Sequence, residues 1–179
     1  MKLHTVVITL MVTILGVSCS PKSENTQSKK EGFTKPIEKN YEEIKWDVLL
    51  SEEELAFYIN EMELYRADPN YTGATPPPTL PNKKVDRKTV KIPGFPVAVD
   101  TVPGEYNKAK TFILVPTAGA CIHVPAPPEN QTIYVEMDHE VTLDPYTPVY
   151  IEGTLYIEEG SNDIAGYFYK IVGDDVYDY

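Results

Sequence analysis

Cysteine is nearly missing from this sequence. Cys19 and Cys121 are the two cysteines in 179 residues, too few for the disulfide framework of a small exported domain. Cationic charge is also short: Lys and Arg total 16 against 27 Asp and Glu, a net charge of −11. Such a surface repels nucleic acid and anionic lipid, and it attracts cations and basic partners weakly and without specificity. The sequence has no Gly-x-Ser-x-Gly elbow, no glycine-rich phosphate loop, no Cys-x-x-Cys and no Ser-His-Asp arrangement. Hydrolytic, nucleotide-dependent and dithiol chemistry therefore lack a signature. The chain reads as non-enzymatic, with no catalytic residue to name and no small-molecule substrate evident.

The N-terminus supplies what composition does not. In "MKLHTVVITLMVTILGVSCS", Lys2 precedes an apolar stretch from Val6 to Val17, the layout of a secretion signal and too short for a comfortable membrane span. "LGVSC" has the form of a bacterial lipobox, which makes Cys19 the lipidated first residue after removal of residues 1–18. The expectation is an exported lipoprotein, anchored to the membrane through Cys19 and facing the periplasm. Ser20 stands where Asp would retain it at the inner membrane, which favours the outer membrane. Polar residues 19–40 read as a tether, and 41–179 as one β-rich domain. With Cys19 acylated, Cys121 has no partner for a disulfide.

Within the domain, "SEEELAFYINEMELYRAD" predicts a helix over 51–68. Ser51 and Glu54 form a capping box, and three glutamates suit the positive end of the dipole. Leu55, Ile59, Met62 and Tyr65 or Arg66 share one stripe, so the helix is expected to pack on the body. Residues 69–88 read as a proline-rich linker, and Trp46, the single tryptophan, as packing on the domain. The 13 tyrosines and 16 prolines predict frequent turns and exposed aromatic surface.

From 89 to 172 the hydrophobic period becomes two. Val90 and Ile92 share a face, and Phe95, Val97 and Val99 lie on a shifted phase. Gly94 between Pro93 and Pro96 suggests a bend in an edge strand. "TFILVP" suits a strand buried on both sides. "QTIYVEMD" and "PVYIEGTLYIEEG" alternate, and "GYFYKIV" returns. The fold class is mainly β: a small five-stranded barrel or sandwich, for which an OB-like arrangement is one form, with one N-terminal helix.

One stretch, "VPTAGACIHVPAPPENQ", holds the candidate site. Gly119 permits a turn. If the chain is extended beyond it, Cys121 and His123 at i and i+2 point the same way, and thiolate with imidazole suits Zn²⁺ or Cu⁺. His139, beside Asp138 and Glu140, is the remaining histidine of the mature chain and the candidate third ligand. Zinc is thus the cofactor this stretch could bind. In the alternative, Cys121 is buried and the loop docks a partner protein through Gly119, Pro127, Pro128, Asn130 and Gln131. The domain is then a structural or interaction module without metal.

The same stretch, with "WDVLL", "VKIPGF" and "VYIEGTLYI" in order, resembles the bacterial exported proteins grouped as domain of unknown function 3299. The resemblance runs from about Trp46 to Val172. It implies an accessory role in metal handling, zinc in particular, beside ABC-type transporter components. The sequence departs from the family pattern at Thr117, Ala118, Ala126 and Glu129.

Overall fold

The computed structural model describes residues 39–102, 104–123 and 126–179. The leader, Cys19 and the tether before Lys39 lie outside them. The strands are β1 (Glu42–Glu43), β2 (Lys88–Val102), β3 (Glu105–Val115), β4 (Ile133–Thr142), β5 (Val149–Ser161) and β6 (Gly166–Asp178). Five were expected; β1 is a two-residue addition that pairs in parallel with β2.

The other five close into a ring. Lys88 to Gly94 of β2 pair with β5, and Phe95 to Val102 pair with β3. β3 pairs with β4, β4 runs parallel to β6, and β6 pairs with β5. Counted from β2, the order is first-second-third-fifth-fourth-first. That is a five-stranded Greek-key barrel of the OB kind, with its helix before the first strand instead of between the third and fourth.

Gly94 stands where β2 changes partners. A Cβ there would come within 2.7 Å of Leu114 Cγ and 2.9 Å of the Val115 carbonyl oxygen, so glycine alone allows the crossing. Two expectations about β2 are corrected. It is paired on both sides, not an edge strand, and its phase does not slip. Val90, Ile92 and Ala98 contact the barrel interior, while Phe95, Val97 and Val99 belong to a second apolar cluster. The run from Phe112 to Val115 is buried on both faces, as expected. Phe112 and Leu114 point into the barrel, and Ile113 and Val115 into the second cluster. Each such burial contributes about 1.5–3 kcal/mol.

The segment before β2 closes one end of the barrel. Leu49 and Val85 are 0% and 1% exposed. Tyr169, fully buried, donates its hydroxyl to the Leu49 carbonyl at 2.7 Å and accepts from the Asn82 N–H at 2.5 Å. Burial pushes this phenol up to about 12.

Helix α1 (Glu52–Ala67) carries the expected capping box. Its orientation reverses the expectation. Ile59 and Met62, on the stripe meant for the body, are 52% and 54% exposed, whereas Glu54 and Glu61 are buried. The linker after the helix explains this. It offers backbone N–H groups, which only acceptors can satisfy. Ala74 N–H and the Tyr71 hydroxyl donate to Glu61, and Leu80 N–H donates to Glu54.

Two expected outcomes follow from these contacts. Glu54→Ala leaves several buried donors unpaired and lowers unfolding free energy by about 2–4 kcal/mol, while Ile59→Ala stays within about 0.5 kcal/mol. Chemical denaturation checks the order, and a larger loss at Ile59 would contradict the orientation of α1. Tyr169 has a native pKa above its unfolded value. Its contribution is therefore complete below pH about 10 and is lost as pH rises toward 12. Tyr169→Phe should be less stable at neutral pH, and its stability should decline less than wild type's between those values.

Candidate functional site

The chain leaves β3 at Val115 and crosses the outer cluster before entering β4. Gly119 has φ +75°, and Cys121 has φ +65°, a left-handed conformation uncommon for cysteine. Ile122 N–H and His123 N–H both donate to the Gly119 carbonyl. Cys121 and His123 therefore lie in a turn, not an extended run, and their side chains diverge. This corrects the shared direction expected from their spacing. Cys121 is half-buried and packs against the cluster of Val97, Ile113, Val115 and Ala120. Burial pushes its thiol up, away from the thiolate that a nucleophile or metal ligand requires. His123 is exposed. Its Nε2 lies 2.6 Å from the Tyr146 hydroxyl, and the two rings stack at 6.1 Å.

His139 does not join them. β4 begins at Ile133 opposite Leu114, beside the loop, and His139 stands about 20 Å further along the strand, hydrogen-bonded to Asp138. Among the described residues, no three His, Cys, Asp or Glu side chains form a group that could hold a metal ion.

The end of the loop faces inward. Pro128 C=O accepts from Gln131 N–H at 2.8 Å and from the Thr132 hydroxyl at 3.2 Å. Asn130 is 1% exposed and its amide donates to both Glu54 oxygens, at 3.0 and 2.9 Å. Gln131 Nε2 donates to the Trp46 carbonyl at 3.1 Å. Asn130, expected at a partner surface, is thus buried, and both amides clasp the segment before β2. Gly119 sets the turn, Pro127 is half-buried and Pro128 is exposed.

A second feature was missed as a site. Trp46 Nε1 donates to the Pro93 carbonyl at 2.7 Å, fixing the indole at the rim of a cleft of about 250 Å³. Pro93, Phe95, Pro116, Pro148 and Tyr179 complete its lining with Gly94. From Tyr179 an aromatic strip continues over β5 and β6. Tyr179 and Tyr150 centroids are 5.0 Å apart, and Tyr150 and Tyr177 5.7 Å. Tyr150 donates to Glu43 and Tyr177 to Glu152, while Lys91 Nζ sits 3.9 Å from the Tyr150 centroid. Burial first, then the neighbouring carboxylate, holds both phenols above their usual range. The available signal was the tyrosine count together with the outward phase of Tyr150 in its alternating strand.

Residues 46–178 match the family described as "Protein of unknown function (DUF3299)". A crystal structure of a DUF3299 family protein from Pseudomonas aeruginosa PAO1 superposes with a TM-score of 0.61 at 30% identity, covering 79% of this chain and 97% of that one. No curated protein matches.

The half-buried thiol, pushed up by desolvation, predicts slow chemistry at Cys121. In the folded chain at pH 8, alkylation followed by peptide mass spectrometry should run at least about tenfold slower than in denaturant. Equal rates would contradict the packing described for the turn.

Proposed function

This chain belongs to the DUF3299 family, and we propose that it is a non-enzymatic recognition module of the cell envelope, held to the membrane by lipid on Cys19. The periplasm-facing outer membrane is the favoured site. The divergence of Cys121 and His123 carries the reading. Thiol catalysis needs a depressed pKa and an oriented base, but this thiol is pushed up by burial and the imidazole turns to Tyr146. A zinc site needs at least three protein ligands, but Cys121 and His123 diverge within one turn and His139 stands about 20 Å away along β4. An accessory role in zinc handling beside an ABC-type transporter then consists of contact with transporter components, not of metal held by these residues.

Native mass spectrometry of the full mature chain in detergent, titrated with zinc, tests this. The expected result is no stoichiometric zinc on wild type or on Cys121→Ala, the two differing only by the mass of the substitution. One zinc per chain, lost in that variant, would overturn the proposal in favour of a metal carrier.

A further inference from the structure

We infer that the cleft beside Trp46 and the tyrosine strip leading from it bind a proline-rich peptide in the polyproline II conformation, with a basic residue at one end. This deepens the recognition reading and uses none of the residues that carry it.

The lining selects the ligand. The cleft presents Trp46, Phe95 and Tyr179 among Pro93, Pro116 and Pro148, with no charged side chain. Its one side-chain N–H, Trp46 Nε1, is already held by the Pro93 carbonyl. The strip's inner hydroxyls, on Tyr150 and Tyr177, are likewise turned to Glu43 and Glu152. A sugar ring laid in the cleft finds no carboxylate and no free side-chain N–H to replace the water its hydroxyls lose, which is costly. A polyproline II helix has no such requirement. Its carbonyls stay in water, its ring faces are apolar, and its conformation is already ordered, so little entropy is lost on docking.

The groups are also fixed before any ligand arrives. The indole is tied by its hydrogen bond, and two of the three strip tyrosines by theirs. The rings sit 5.0 and 5.7 Å apart and together offer a track that runs from the cleft across β5 and β6. Rigid aromatic anchors of this kind dominate binding at small interfaces.

Charge fixes the direction. The far end of the strip has two carboxylates, Glu43 and Glu152, against one ammonium, Lys91, on a chain of net charge −11. Lys91 lies over the Tyr150 and Tyr177 rings, at 3.9 and 5.4 Å from their centroids, and pairs with Glu43 at 3.9 Å, which leaves Glu152 as the carboxylate without an ammonium partner among the described residues. An arginine or lysine at the peptide's end has the Glu152 carboxylate within its range, while the prolines occupy the cleft.

Trp46 is the single tryptophan and lines the cleft, so its fluorescence reports occupancy. The full mature chain in detergent is titrated with a synthetic peptide of one arginine and about nine prolines. A saturable shift in Trp46 emission is expected. Tyr179→Ala and Tyr177→Ala, at exposed positions that leave the core untouched, should each weaken binding about tenfold. Glu152→Gln should weaken the arginine-bearing peptide but not an all-proline one. An emission that stays flat, or an affinity unchanged in both tyrosine variants, would sink the proposal. So would saturation by cellotetraose in place of the peptide. Zinc bound through Cys121 would leave these readouts unaltered, so the two proposals fail separately.

Discussion

A buried carboxylate ties the parts of this molecule together. Glu54 is 2% exposed, where an ionised group must be met by donors or be strongly disfavoured. The donors come from three different segments. Ser51 offers its N–H and hydroxyl at the entry of α1, Leu80 its N–H at the end of the linker, and Asn130 its amide from the loop before β4. No apolar residue at position 54 could join backbone N–H groups to a carboxamide. The helix, the linker and the loop therefore share one acceptor, and the helix turns Glu54 and Glu61 inward while Ile59 and Met62 face solvent.

The strands were legible because sheet burial follows a period of two, and a strand covered on both faces reads as a continuous apolar run. Phe112 to Val115 were read this way and lie between the two clusters. β2 shows the limit of the same rule. Phe95, Val97 and Val99 are apolar on the outer face because Ala120, Cys121, Ile164 and Tyr167 cover them there. A second covered face looks, in sequence, like a slip in phase. Closure of the ring was not legible. It depends on β2 meeting β5 and on β4 meeting β6 in parallel, pairings between segments far apart in the chain. The helix stripe misled for a related reason: amphipathic spacing shows that two faces differ, but not which one the rest of the chain will satisfy.

The Cys-x-His spacing misled through the backbone. A shared direction at i and i+2 holds only for extended residues, and Cys121 at φ +65° is not extended. Nothing in the residue types announces a left-handed cysteine, because the glycine that sets up the turn stands two positions earlier. Asn130 and Gln131 were found by their place in a family-like segment, but their task was not legible, since their partners Glu54 and Trp46 are 76 and 85 residues away.

That pair of amides connects the loop to the aromatic face. Gln131 holds the Trp46 carbonyl, the Trp46 indole holds Pro93, and Pro93 lies beside the glycine at which β2 changes partners. Tyr41, Glu43 and Trp46 all belong to the segment that the loop clasps. It is fixed at its start as well, where Lys39 pairs with Asp174 at 2.6 Å and Tyr41 donates to the same carboxylate. Trp46, from the segment before β2 and clasped by the loop before β4, thus forms one side of the cleft, while β2 at Pro93 to Phe95 and the strand ends at Pro116, Pro148 and Tyr179 form the rest. The barrel supplies most of the lining, while the place of the indole rests on two polar contacts, to Gln131 and to Pro93. A change in the loop can then alter recognition at the indole while the five-stranded core stays intact.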